Sequence, residues 1–211
     1  MANNAQKIRF APNGALYIAP APVDGATGGT KPPTELGDGK TAPPGYRDFG
    51  YVDESGVTLT PSVETSPVAA WQSAVPVLYI VTGAAFSVKS TFIETNSVTT
   101  EHFFGAPWTE IKTGETGTGV YRLNLSSTPE FSDVSLVVDW QQKGYLWRVV
   151  ISRAMVSDRG AIQLTRKEPH KYELTLEGLD FAGGLGYVLT NDPSIMPPAT
   201  SPGTLSKSAS A

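Results

Sequence analysis

Val134-Ser135-Leu136-Val137-Val138-Asp139-Trp140, then Gln141-Gln142-Lys143-Gly144, then Tyr145-Leu146-Trp147-Arg148-Val149-Val150-Ile151-Ser152-Arg153 decides the fold class of this chain. The flanks are rich in β-branched and aromatic residues, and the centre is a short polar segment ending in glycine. That is two strands joined by a turn. Trp140 and Trp147 flank the turn, close enough to pair across the strands.

The same grammar recurs outward. Tyr172, Leu174 and Leu176 alternate with Lys171, Glu173, Thr175 and Glu177, one set inward and the other outward. Val120–Ser126 is a further strand, preceded by a turn or tip at 112–119. Ala161–Arg166 is a candidate for one more. Upstream, Ala15–Ile18 and Gly56–Thr60 read as strands. Val77–Val81 and Ala85–Ile93 read as a hairpin turning at Thr82-Gly83, with Phe86, Val88, Ser90 and Phe92 on one face. Residues 62–74 are open between one helical turn, with Pro67 at its first position, and strand plus loop.

Residues 94–104 break the alternation. Thr95 or Asn96 is placed to cap a helix there, and Gly105 to stop it. Many short strands with one short helix give a mainly β chain, an antiparallel sandwich or barrel with a flanking helix. Residues 1–189 form one domain on this reading. Two segments carry no face to bury. The first is the Gly/Pro-rich stretch 20–47, expected to be a long mobile loop. The second is 190–211, built from Pro, Ser, Ala, Thr and Gly and expected to be a flexible arm.

The chain has 211 residues, 40% hydrophobic and only 17% charged, with 21 glycines, 17 prolines and no cysteine. That composition supports a core but no disulfide, thiolate metal site or cysteine nucleophile. A net charge of −4 gives no reason to expect nucleic-acid binding by bulk electrostatics. The N-terminus has no apolar signal-peptide region, and the apolar run near Val75–Val81 falls far short of the roughly 20 residues of a membrane helix. No membrane partner is expected.

Charge is segregated. Seven carboxylates face two lysines over residues 53–115, whereas seven lysines and arginines face two carboxylates over 143–171. Two ordinary solvated surfaces account for this, and so do complementary ends that associate head to tail.

Candidate chemistry is sparse. His102 and His170 have no metal-like partner at short spacing, and His102 sits beside Phe103 and Phe104 as a packing residue. Nucleophile-elbow, phosphate-loop and dinucleotide signatures are missing. Asp133 and Asp139 share a strand face but lie about 20 Å apart along it, too far for a local acid–base pair. Trp71, Trp108, Trp140 and Trp147 with Tyr145 are what a sugar platform would need, yet core or subunit interface is the simpler assignment for most of them. The chain is therefore expected to be no enzyme and to use no metal or cofactor.

From Gly50-Tyr51-Val52-Asp53-Glu54-Ser55-Gly56-Val57-Thr58-Leu59, the sequence resembles the tail tube proteins of siphophages, especially those infecting actinobacteria. The likeness continues through Ser62-Val63-Glu64-Thr65, Ala70-Trp71-Gln72, Phe92-Ile93-Glu94-Thr95-Asn96 and Phe104-Gly105, over about residues 48–105. It implies a β-sandwich related to the tubes of contractile tails and type VI secretion. Such subunits form hexameric rings that stack into a hollow conduit in the virion tail. DNA passes through without specific binding. Tape measure, terminator and distal tail proteins would be the other partners, with synthesis in the host cytoplasm. On this resemblance the inter-ring contacts fall to Lys31, Lys40, Tyr46, Arg153, Arg159, Glu110 and Glu115. The alternatives are a tail terminator, a capsid decoration protein, or a carbohydrate-binding β-sandwich.

Overall fold

A computed structural model describes residues 3–23, 28–128 and 132–195. The elements run β1 (Asn13–Pro20), β2 (Arg47–Asp48), β3 (Val52–Val68), β4 (Leu78–Phe92), α1 (Ser97–Phe104), β5 (Trp108–Thr113) and β6 (Thr116–Leu123). They continue with β7 (Val134–Gln142), β8 (Tyr145–Arg159), β9 (Tyr172–Gly178) and β10 (Tyr187–Thr190). Every pairing is antiparallel. The main sheet is ordered β2-β1-β7-β8-β9-β4-β3, with β10 also on β8, and β5-β6 form a separate hairpin.

The expected mainly β architecture with one helix is what the chain forms, and β8 makes it sandwich-like. Its first half lies between β7 and β10, and its second half pairs β9. Register shifts between Val134 and Leu136 and between Val156 and Asp158 mark where β8 bends from one leaf into the other. Leu16, Leu136, Val138, Val149 and Ile151 on one leaf meet Val88, Phe92, Leu174 and Leu176 on the other in a single core. Val98 and Phe103 of α1 close one end of it.

Local chemistry explains the helix and the central turn. Asn96 accepts from Thr99 N at 2.9 Å as N-cap, and Gly105 ends α1 in the left-handed region at φ 71°. Trp140 and Trp147 are register partners and stack 5.8 Å apart. Asp139 and Arg148 are partners one step further along the ladder.

Several expectations are corrected. Val77–Val81 and Ala85–Ile93 are not two arms of a hairpin. Leu78–Val81 and Ala85–Phe92 belong to one strand, β4, and Thr82 is an extra residue where the register slips between Glu64/Gly83 and Thr65/Val81. The turn lies at residues 69–77 instead, and 62–68 continue β3. Residues 161–166 form no strand.

Residues 190–195, expected from the sequence to belong to the flexible arm, are bonded to the domain. Thr190 closes β10 and donates its hydroxyl to Leu146 O at 2.9 Å, and Asn191 Oδ1 accepts from Leu146 N at 2.7 Å. Buried Asp192 takes a two-pronged bond from Arg9, whose guanidinium also lies over the Tyr145 ring. That pairing holds the Asp192 carboxyl well below the usual carboxylate range. Residues 196–211 of the expected arm, and 24–27 of the loop, lie outside the described residues.

Candidate assembly surfaces

Beyond Leu59 and Phe86, β3 and β4 leave the core as a two-stranded ribbon. Residues 60–67 and 75–82 are all exposed. β-branched Val63, Thr65, Val77, Ile80 and Val81 favour the extended form. The turn is tied by Ser73 N to Ala70 O at 3.1 Å and by Ser73 Oγ to Val75 O at 2.8 Å. Because Leu78-Tyr79-Ile80-Val81 are consecutive, both faces of the ribbon are apolar. From Thr60 to Phe86 the sequence contains one charge, Glu64. Trp71 stands near the tip, 98% exposed.

The two margins of the ribbon differ. Val68 O accepts from Val77 N, so Val68 faces β4. Alternation then turns Pro67 and Pro61 outward, and that margin lacks two amide donors. The outer margin of β4 over residues 78–86 lies beyond its pairing with β9 and carries no proline or charge.

A second hairpin, β5-β6, is exposed throughout except at Leu123. Trp108 tethers it to α1 by donating Nε1–H to Thr100 Oγ1 at 2.8 Å. Ile111, Val120 and Tyr121 are left in solvent. Glu110 accepts from Gly119 N at 3.1 Å across this hairpin, and Glu115 sits at its turn.

The Gly/Pro-rich segment was expected to bury nothing. Of the described residues in that 20–47 stretch, 28–46 instead cover the outer face of the β1-β7-β8 leaf, where Tyr17, Ala19, Val137 and Val150 form a second core with Tyr46. The Tyr46 hydroxyl lies 2.6 Å from Ser135 Oγ in a buried contact. Arg148, 3% exposed, makes a bidentate pair with Asp139 at 2.7 and 2.6 Å and donates Nη1–H to Glu35 O at 2.8 Å. Tyr187 donates to Pro33 O at 2.9 Å. Asp38 accepts from Lys40 N, Thr41 N and the Thr41 hydroxyl, which lowers its pKa to about 2. Gly39, at φ 67°, holds a backbone conformation that other residues rarely adopt, and an added Cβ would also displace Leu146 Cδ1, 2.2 Å away.

The seven residues nominated from sequence fall on three elements. Lys31 and Lys40 are exposed on the 28–46 segment, where Tyr46 is buried. Glu110 and Glu115 are on β5-β6. Arg153 and Arg159 are on β8, Arg153 bonded to Asp133 at 2.7 Å and Arg159 donating to Phe103 O at 3.3 Å. The basic block is partly spent within the subunit through Arg148–Asp139 and Arg153–Asp133, and Lys171–Asp53 at 3.1 Å joins it to the acidic block. The ribbon was missed as a surface. Its signal was present in the uncharged run from Thr65 to Phe86 with five consecutive apolar residues at 77–81.

Among the described residues no three His, Asp or Glu side chains lie close enough together to hold a metal ion. None of the described helices is long and apolar enough to cross a membrane. His102 packs edge-on to Phe49, and its Nδ1 is 2.8 Å from Val98 O. Burial holds its pKa below the ordinary value. The separated carboxylates Asp133 and Asp139 each hold an arginine.

The family model described as phage tail tube protein matches residues 1–202. The chain belongs to the phage tail tube protein family. It is a structural component of a phage tail. Sixteen chains of solved structures match this tail tube protein. One is from the virion of a native gene transfer agent particle, with 10% identity, 64% of this chain and 85% of that chain covered, and a TM-score of 0.34. Another is from the baseplate of an anti-feeding prophage, with 10% identity, 90% and 97% coverage, and a TM-score of 0.41. No curated protein matches the chain.

Proposed function

We propose that this protein is the repeating subunit of the tail tube. Copies close into rings, six to a ring, and the rings stack into the hollow conduit through which the genome leaves the virion. The ribbon carries this reading. Val63, Trp71, Val75, Val77, Leu78, Tyr79, Ile80 and Val81 together expose on the order of 1,000 Å², against the roughly 800 Å² per partner of a standard interface. These residues lie on both faces and the tip of one ribbon, a concentration of exposed apolar residues that a monomeric protein rarely leaves in water, and an isolated two-stranded ribbon is marginal on its own. Self-association covers the patch and stiffens the ribbon together. A conduit must also release its DNA, and the near-absence of positive charge on the ribbon agrees with that need.

Negative-stain images of the concentrated protein test the reading. Hollow tubes with six subunits in end-on views are expected. Dispersed monomers or trimers at every concentration and salt would refute it and favour a decoration protein.

A further inference from the structure

The main sheet fails to close, and the opening is a cleft. β2 pairs with β1 only at Tyr17 and Ile18, and Phe49 N donates to Leu16 O just beyond. The chain then crosses to β4, so β1 and β3 diverge with their outer margins unpaired. Between them lies a cleft of about 660 Å³. Partly buried Val57, Leu59 and Trp140 supply apolar walls above core residue Leu16, and Glu54 lines it as an acid beside Asp53, which is paired with Lys171. Four other clefts are lined by the proline-rich segment with Lys31 or Arg148, or by ionised groups around Lys171 and Arg159.

Trp71 has the complementary chemistry. Its neighbours Ala69, Ala70, Ser73 and Ala74 are small, and the indole is the one aromatic group at the tip. Residues 65–86 hold no carboxylate to be repelled by the acids of the cleft. An indole needs apolar walls for its ring and an acceptor for its N–H, and carbonyls on unpaired strand margins or the two acids supply one. Plug and cleft lie at opposite ends of β3. The ladder from Val57 to Val68 alone spans roughly 35 Å, so one copy cannot fill its own cleft.

We propose that Trp71 of one copy seats in the β1–β3 cleft of a second copy. The contact is heterologous, each subunit offering one plug and one socket, and it propagates from copy to copy. It rests on the tube reading and specifies which surfaces meet.

The chain has no cysteine, so engineered disulfides report contacts cleanly. Gln72→Cys beside the plug and Glu54→Cys at the cleft, combined in the full chain with Trp71 intact, are expected to give an intermolecular ladder on mild oxidation. Each single variant gives none. Trp71→Ala should raise the concentration at which tubes form roughly tenfold or more. Its melting curve should match the parent's, because the side chain is solvent-exposed in the subunit. Tubes that form without the cross-link, or a Trp71→Ala protein that assembles like the parent, overturn the contact and leave the tube reading standing. A parent that never forms tubes ends the tube reading. Absence of the cross-link in that sample overturns the contact as well.

Discussion

Replacing Asp139 by asparagine keeps the shape of the side chain and removes the charge that faces Arg148. The guanidinium is 3% exposed and is held by two bonds of 2.7 and 2.6 Å to the carboxylate. Without that partner a charge is left buried, at a cost of about 3–5 kcal/mol. A domain has roughly 5–15 kcal/mol of stability in total, so the variant should be severely weakened. The double replacement Asp139→Leu with Arg148→Met removes both desolvation penalties. It loses the bond to Glu35 O, worth about 1 kcal/mol, and should fall within about 2 kcal/mol of the parent. Urea unfolding followed by tryptophan fluorescence measures all three proteins. Arg148 also pins the 28–46 segment, so trypsin should cut after Lys40, which is followed by Thr41, faster in both variants than in the parent. A single variant within 1 kcal/mol of the parent, with unchanged cleavage, would refute the view that this pair holds the segment down.

Acidification acts through His102, whose pKa in the fold lies below the ordinary value. The unfolded chain therefore binds the proton first, and stability is full above about pH 6.5 and declines below it. His102→Gln should flatten the dependence between pH 7 and 5, read by thermal melts across that range. Asp38, lowered to about 2, stabilises its turn fully above the usual carboxylate pKa and loses that contribution only as pH falls from about 4 towards 2. Trypsin cleavage at Lys40, measured relative to an unstructured peptide of the same sequence at each pH, should accordingly be unchanged between pH 7 and 5. A chain ending at Leu189 should melt lower than one ending at Ile195, because it lacks the Asn191 bond to Leu146 and the Asp192 bond to Arg9. Assembly should survive, or strengthen on, a rise from 50 to 500 mM salt, since the ribbon is nearly uncharged. Light scattering that collapses with salt would return the charge blocks to the leading role.

Where a strand has a core, its sequence announced it. Tyr172, Leu174 and Leu176 alternate because one side is buried, and Asn96 and Gly105 mark α1 by chemistry that is local. Where the partner is another molecule or a main-chain group, the pattern fell silent. The ribbon faces no core of its own subunit, so β3 and β4 show no alternation beyond Leu59 and Phe86. Thr82-Gly83 then imitates a turn. The 28–46 segment packs through carbonyls of Pro33 and Glu35 and one tyrosine, none of which a hydrophobic periodicity records. Asp192 and Arg9 are 183 residues apart, and no local signal joins them.

Pro61 and Pro67 have a consequence for how a pool of free subunits behaves. Two ribbons pairing margin to margin about a twofold axis would give a dimer that satisfies itself and grows no further. Along β3 that route lacks two of its amide donors, so one of the ribbon's two margins is closed to such sterile pairs. Subunits spared from dead ends stay available to extend a polymer. The two prolines thus act on the yield of assembly, a property no single folded copy displays.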